Sequence, residues 1–410
     1  MDFLATTGRR KVLFGLLYLS EGAPIGFIWL GLPTRLRAME VPLDRITWLM
    51  AMLILPWTLK FLWAPLVDLF RGPKWGLKHS IIASQVVMGA TLLPLFWLDL
   101  RIDFAIVSMW LLAHAFAAAT QDVAIDSLCI QQSMLAERGS LNGAMQCGVL
   151  TGRAIMGGGS LMLERWIGFN GVVAVLIGLV SFSLIVLAFA KEKQLAATAG
   201  VAESIGQRML QLMRQLRRGA RKPIIWFGFA FALTVPAAFK SAEAILGPFL
   251  VDRGYSEFDV GRFTSTAIIG GMIVGSVLAG RFSHRWADRR LLTGAVIANL
   301  LAIAAVAIAD LSSDRSGGIA LLVALTVVSI TIGCFTVAMY NWLMNLTDPL
   351  MAATQFTAFM AASNVCEAWS TTLIGRLQIA WGYPAAMLCL CAISATAAIV
   401  IALKLPPSPE

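Results

Sequence analysis

The chain has 410 residues, of which 58% are hydrophobic and only 13% charged, against about 25% charged residues in a soluble domain. Its mean hydropathy is +0.78, and apolar runs near the roughly 20 residues needed to cross a bilayer recur along its length, which excludes a water-soluble globular fold. The formal net charge of +9 lies in short loops between those runs, so it reads as a topology signal and not as a nucleic-acid surface.

Twelve spans are predicted in chain order. The first six are 11–35, 45–68, 78–98, 104–134, 139–163 and 170–190. The first follows a basic start, Arg9-Arg10-Lys11, and carries Glu21 and Trp29. Its Gly22, Pro24 and Gly26 predict a broken helix whose carbonyls line a cavity. The second holds Trp57 and Lys60 and ends at Asp68, before Arg71 and Lys74. The fourth carries Asp122 and Asp126, four residues apart and therefore on one face. A tight charged turn, Glu137-Arg138-Gly139, leads to the fifth span, which holds Arg153 and the run Gly157-Gly158-Gly159, read as close helix packing.

A polar linker, 191–222, follows. Its part 205–218 interleaves leucines and methionines with arginines, as a basic amphipathic helix on the membrane surface or a plain tether would. The last six spans are 223–251, 258–282, 289–309, 317–346, 351–375 and 381–404. Lys240 and Glu243 share a face of the seventh and are expected to pair. Arg281 and Arg285 close the eighth, and the eleventh holds Asn364 and Glu367.

The predicted fold is therefore an all-α membrane protein of twelve transmembrane helices in two six-helix pseudo-repeats, 1–190 and 223–410, joined by the linker 191–222. With the amino terminus inside, 20 of the 32 lysines and arginines fall on cytoplasmic segments and nine outside. Both termini are then cytoplasmic. The halves echo each other: Arg10-Lys11 before Pro24 matches Arg221-Lys222 before Pro236, and Arg153 and Glu367 fall at equivalent points. Six-helix repeats with one long linker are the pattern of the major facilitator architecture.

Charge inside a membrane is costly and marks function. A carboxylate in a low-dielectric cavity is suited to carry a proton, and Asp122, Glu21 and Glu367 are the candidates. Asp126 is the candidate for a gate closed by Arg71 or Lys74. Lys60, Asp68, Arg281 and Arg285 complete the gating set. Lys60 either neutralises Asp122 or extends its amine to the interface. Arg153 offers a planar fork for a carboxylate or phosphate, or else pairs with Glu21. Glu21, Trp29, Trp57 and Asn364 join it as candidate substrate contacts, although interface anchoring explains most tryptophans as well. His114 reads as a packing residue. The cysteines Cys129, Cys147, Cys334, Cys366, Cys389 and Cys391 lie in apolar segments without CxxC spacing, so neither disulfides nor a metal site are expected. There is no nucleophile–base set and no phosphate-binding loop, which points to a proton gradient as driver, with no cofactor and no catalytic residues.

Three motifs carry a resemblance. Pro56-Trp57-Thr58-Leu59-Lys60-Phe61-Leu62-Trp63-Ala64-Pro65-Leu66-Val67-Asp68 is followed by Gln121-Asp122-Val123-Ala124-Ile125-Asp126 with Glu137-Arg138-Gly139, and by Ala353-Thr354-Gln355-Phe356 in the second half. With these the chain resembles the AmpG-like branch of the major facilitator superfamily, which includes muropeptide permeases, acetyl-CoA transporters and the RhtX/FptX siderophore importers. The chain departs from the permeases in length and in the loop Gly72-Pro73-Lys74-Trp75-Gly76. The resemblance implies that the two aspartates matter for transport. The expected function is a proton-coupled secondary transporter, working by alternating access. It imports a medium-sized, partly anionic solute, such as a muropeptide or an iron–siderophore, across a bacterial inner membrane. Facilitator-type efflux and a non-transporting scaffold on the same fold are the alternatives. The expected partners are the solute and the lipid bilayer, with no nucleic acid, and the expected state is a monomer.

Overall fold

The computed structural model describes residues 2–63, 75–133, 135–190, 192, 223–283, 288–312, 318–346 and 352–404, and the regular elements among them are helices. The chain starts with α1 (Thr7–Gly26), a π-helical turn (Phe27–Gly31) and α2 (Leu32–Ala38). Then come α3 (Leu43–Leu53), α4 (Leu55–Leu59) and a 3-10 turn (Lys60–Leu62). Next are α5 (Leu77–Leu92), α6 (Phe104–Gln132), α7 (Leu135–Met156) and α8 (Gly158–Ala188). The second half holds α9 (Pro223–Thr234), α10 (Ala237–Asp252), α11 (Glu257–Phe263) and α12 (Ile269–Ser283). It ends in α13 (Asp288–Ser312), α14 (Ile319–Leu346) and α15 (Ala352–Lys404).

Among the described residues, nine helical stretches are long and apolar enough to cross a membrane. Two long helices turn at a glycine in the left-handed region: Gly168 (φ 68°) divides α8 and Gly382 (φ 78°) divides α15. No Cβ-bearing residue adopts that φ cheaply, so the glycines separate one span from the next within a continuous helical trace.

Two local expectations are corrected. The first span is not broken at Gly22–Gly26. α1 runs through Pro24, and the helix widens into the π-turn just beyond it. Glu137-Arg138-Gly139 is not a turn either but lies in the start of α7. The chain reverses earlier, where Ser133 is extended and its hydroxyl donates to the Cys129 carbonyl at 2.6 Å.

By contact the chain forms two compact units. Unit 1 is Met1–Met39, Leu59–Gln207 and Glu257–Ser265; unit 2 is Glu40–Thr58, Arg208–Ser256 and Thr266–Glu410. The early parts of the second and eighth spans, α3 and α11, thus each join the unit built mainly from the other half of the chain. α11 packs on α8 in unit 1, where a Cβ on Gly158 would strike the Gly261 carbonyl and Ser265 donates to the Ala154 carbonyl at 3.0 Å. α3 packs on α15 in unit 2, where a Cβ on Gly375 would strike the Thr47 side chain.

Within unit 1, α1 and α7 cross at backbone distance. Gly15, Gly22 and Gly26 face Ala144, Val149 and Arg153, while Gly148 and Gly152 face the α1 backbone from the other side. Small residues let helices approach closely where lipid supplies no hydrophobic drive. An apolar cluster that includes Leu13, Phe14, Leu17, Ile125, Leu128 and Leu187 packs in the same unit. Unit 2 places its glycine crossing elsewhere, between α12 and α14, through Gly271, Gly275 and Gly333. An aromatic group of Phe231, Phe239, Phe335 and Trp342 packs beside it.

Candidate functional site

The glycine crossing fixes α1 against α7. α1 then presents Tyr18 and Glu21, three residues apart and so on one face. α6 presents Asp122 and Asp126, one turn apart. The Tyr18 hydroxyl donates to Asp126 Oδ1 at 2.6 Å and lies 3.2 Å from Asp122 Oδ1. Lys60, at the start of the 3-10 turn, donates to the other oxygen, Asp122 Oδ2, at 2.5 Å. Four side chains from three spans therefore form one chain of contacts, Lys60–Asp122–Tyr18–Asp126. Asp122 is only 7% exposed. Glu21, also buried, acts electrostatically on both Tyr18 and Lys60. Beside the network the Trp63 indole donates to Thr120 at 3.1 Å and its ring leans on Phe116.

Of the two alternatives open for Lys60, the geometry is the ion pair with Asp122. Asp126 bonds to Tyr18. The residues expected to meet Asp126, Arg71 and Lys74, lie outside the described residues, as do Asp68 and Arg285. Arg281 is exposed in the last turn of α12. Arg153 is half-buried on α7, and a Cβ on Gly26 would come within 2.6 Å of its Cα, so α1 fixes the arginine's backbone directly. Trp29 lies half-buried in the π-turn, in unit 1, whereas Trp57 lies half-buried on α4, in unit 2.

Unit 2 holds a simpler pair. Lys240 on α10 donates to Glu367 Oε2 on α15 at 2.5 Å, with Glu243 and Tyr340 acting on the same amine electrostatically. The local spacing pointed to Glu243 as the partner, but the bond crosses to another helix. Asn364 is half-buried three residues before Glu367, on the same face of α15.

Two further clusters belong to the ends assigned to the outside by the charge bias. In unit 1, Arg35 forms an ion pair with Glu164 and its guanidinium lies 4.6 Å from the Phe169 ring centre. In unit 2, Arg253 forms a two-point ion pair with Asp310, and the Tyr383 hydroxyl donates to Asp252 at 2.7 Å. At the opposite end of unit 1, the Glu192 carboxylate accepts the N–H groups of Leu77 and Lys78, both at 3.0 Å, at the start of α5. Lys78 in return donates to the Ala188 and Ala190 carbonyls, at 3.1 and 2.9 Å, where α8 ends. Each charge sits at the helix end whose dipole it complements. His114 is fully buried and contacts Thr91 and the Met88 carbonyl, the packing role expected of it.

Tyr18 is the functional candidate that sequence reasoning missed. Two signals pointed to it. It precedes Glu21 by one helical turn, and it is one of only four tyrosines in the chain; a tyrosine placed inside a bundle needs a partner for its hydroxyl.

Long apolar helices, two compact units and charge networks buried within each define a multi-pass helical membrane protein. The model of the Major Facilitator Superfamily matches residues 14–371, and the chain belongs to that family. The transporter AmpG 4 of Rickettsia felis is 23% identical over 382 residues, covering 90% of each chain. The anhydromuropeptide permease of Escherichia coli is 23% identical over 231 residues, 55% of this chain and 46% of the permease. The crystal structure of a D-xylose–proton symporter superposes with a TM-score of 0.75 at 12% identity, covering 97% of both chains; at that identity the likeness carries the fold alone. The relatives are transporters and permeases, so the chain is a transporter and not an enzyme.

Proposed function

We propose that this transporter imports an anionic cell-wall fragment of the anhydromuropeptide class into the cytoplasm, coupled to protons. It does so as a monomer, by alternating access in a bacterial inner membrane with both termini inside. The observation that carries the proton coupling is the buried network Lys60–Asp122–Tyr18–Asp126, in which one lysine bonds one of two carboxylates and a tyrosine hydroxyl lies between them. Two ionised acids against one cation in a low-dielectric bundle carry an excess negative charge that a proton relieves. Asp122 with its neighbour Asp126 is the main proton site; Glu21 and Glu367 are secondary acids. The substrate class rests on the likeness to the named permease and on Arg153, whose guanidinium suits a carboxylate. Glu21, Trp29, Trp57 and Asn364 are the further contacts proposed for the solute. Lys60, Asp68, Arg71, Lys74, Asp126, Arg281 and Arg285 are proposed to open and close the way to it. No cofactor enters the cycle.

Purified protein in liposomes tests this reading. With an inward proton gradient, a radiolabelled anhydromuropeptide should accumulate, and a protonophore should abolish the accumulation. Arg153→Ala should weaken half-saturation at least tenfold for the anionic fragment. Accumulation of a ferric siderophore instead, or accumulation indifferent to the protonophore, would reject the substrate or the coupling respectively.

A further inference from the structure

The network in unit 1 is not symmetric about its two acids, and the asymmetry assigns the proton. Asp122 is tied at both oxygens: Oδ2 takes Lys60 at 2.5 Å, and Oδ1 faces Tyr18 at 3.2 Å. Asp126 Oδ1 takes the same hydroxyl at 2.6 Å. A tyrosine hydroxyl has one hydrogen to give but can also accept. It therefore serves only one of the two acids as donor at any moment.

We propose that the proton taken up by this network resides on Asp126, and that Tyr18 is the positioning residue that selects it. The inference rests on the proton-coupled reading above and narrows it to one carboxyl. In the loaded state Asp126 Oδ1 carries the proton and donates it to the Tyr18 oxygen. The Tyr18 hydrogen turns to Asp122 Oδ1, and Asp122 stays ionised against Lys60. Asp126, Tyr18 and Lys60 then each donate to the next oxygen in the row, and the Asp122 charge faces the Lys60 charge. In the unloaded state the proton has left Asp126 for water, and Tyr18 turns its hydrogen back to the Asp126 carboxylate. No covalent bond other than the O–H at Asp126 forms or breaks, and the tyrosine keeps its own hydrogen throughout.

The groups facing Asp126 support the choice. Its own helix supplies Asp122, α1 supplies Tyr18, and the 3-10 turn supplies Lys60, while Glu21 acts on Tyr18 and Lys60. α7 carries Arg153, whose backbone is held against Gly26. α5, packed along α6, carries Lys78 and His79 at its first turn; Lys78 is engaged by the end of α8, and the His79 ring accepts the Gly76 N–H. Among the described residues, Lys60 makes its hydrogen bond with Asp122, while Asp126 takes its bond from a neutral hydroxyl.

Infrared spectroscopy of the full-length protein in lipid, titrated with pH, tests the assignment without any substrate. A protonated carboxyl gives a C=O stretching band that an ionised one lacks, and glutamic and aspartic acids differ in its frequency. The conservative swaps keep both carboxyl groups and their charges. Wild type should show a titrating band, Asp126→Glu should move it, and Asp122→Glu should leave it in place. Tyr18→Phe should shift both its frequency and its pH midpoint, because the group accepting the Asp126 proton is gone. A band moved by Asp122→Glu, by both swaps or by neither overturns the assignment, as does the lack of any titrating band. An unchanged band in Tyr18→Phe overturns the role of the tyrosine. Asp126→Asn in liposomes should lose gradient-driven uptake at least tenfold. If the infrared results hold while wild-type uptake ignores the gradient, the proton site stands and the coupled reading fails. If uptake follows the gradient but the band belongs elsewhere, the coupled reading stands and the assignment to Asp126 fails.

Discussion

The two units solve the same problem, charge inside a membrane, in opposite ways. Unit 2 has one amine bonded to one acid, Lys240 to Glu367, joining α10 to α15. In unit 1 the bonded row runs on from the amine's acid through a tyrosine to a second acid. The backbone packing differs in step. In unit 1 the glycine crossing is between α1 and α7, the helices that carry Tyr18, Glu21 and Arg153. In unit 2 it is between α12 and α14, away from the ion pair. Where the backbone already locks the helices that frame a network, the proposed proton exchange needs no helix to be held by a charge pair. Where it does not, a matched pair holds the helices together.

The largest expected effect breaks this comparison directly. Lys240→Met should lower stability by about 3 kcal/mol, the scale for stranding one member of a buried pair. Adding Glu367→Gln should recover most of that loss, because both charges are then gone. Lys60→Met should cost less than Lys240→Met, since the Tyr18 hydroxyl can turn to Asp122 once Asp126 holds a proton, as proposed above. Thermal unfolding of the four proteins in one detergent measures all three differences. A Lys60→Met loss equal to or larger than that of Lys240→Met would remove the distinction between a holding pair and a changing network.

Next in size come the crossings. A Cβ at Gly22 would lie 2.7 Å from the Val149 Cα, and one at Gly275 would meet the Ile330 carbonyl. Both are backbone contacts that no rotamer change relieves. Gly22→Ala and Gly275→Ala should each destabilise by roughly 1–3 kcal/mol, the range for overpacking. Only Gly22→Ala should also displace the network, so its Tyr18–Asp126 contact should loosen and the carboxyl infrared band should broaden. Equal broadening in Gly275→Ala would show that the network responds to general loosening and not to the α1–α7 crossing.

Most of the helical layout was legible because hydrophobic run length is a strong signal in a membrane chain: α6, at Phe104–Gln132, falls within two residues of the span expected at 104–134. Local breaks were harder to read. Gly22, Pro24 and Gly26 look like helix breakers in sequence, yet two of the three are contact points against α7, a role that depends on a helix more than a hundred residues away. The acids were legible as anomalies of composition, and Lys60 as a possible partner of Asp122. The Lys240–Glu367 bond was not, because spacing within one helix favours the i,i+3 neighbour Glu243 and says nothing about α15. Tyr18 was missed for the same reason: its significance lies in two aspartates on another span.

The smallest effect concerns the short turn between the 3-10 turn at Leu93–Phe96 and α6, outside both networks. The Asp99 carboxylate accepts the N–H groups of Ile102 and Arg101, both at 2.8 Å, and these bonds hold its pKa below the usual carboxylate value. A carboxyl whose folded pKa is depressed contributes stability above its unfolded pKa, and that contribution disappears as pH falls through the folded one. Asp99→Ala should therefore be slightly less stable than wild type at neutral pH, and the difference should vanish in strong acid, where the wild-type carboxyl is protonated too. Arg101 and Arg35 also act on Asp99 electrostatically, but it is fully exposed, so added salt should change the difference little if the two N–H bonds dominate. Unfolding temperatures of the two proteins across that pH range, at low and high salt, separate the contributions. A difference that disappears on adding salt at neutral pH would transfer the effect from the backbone bonds to the arginines, and one that persists in acid would show that the turn depends on the shape of Asp99 and not on its charge.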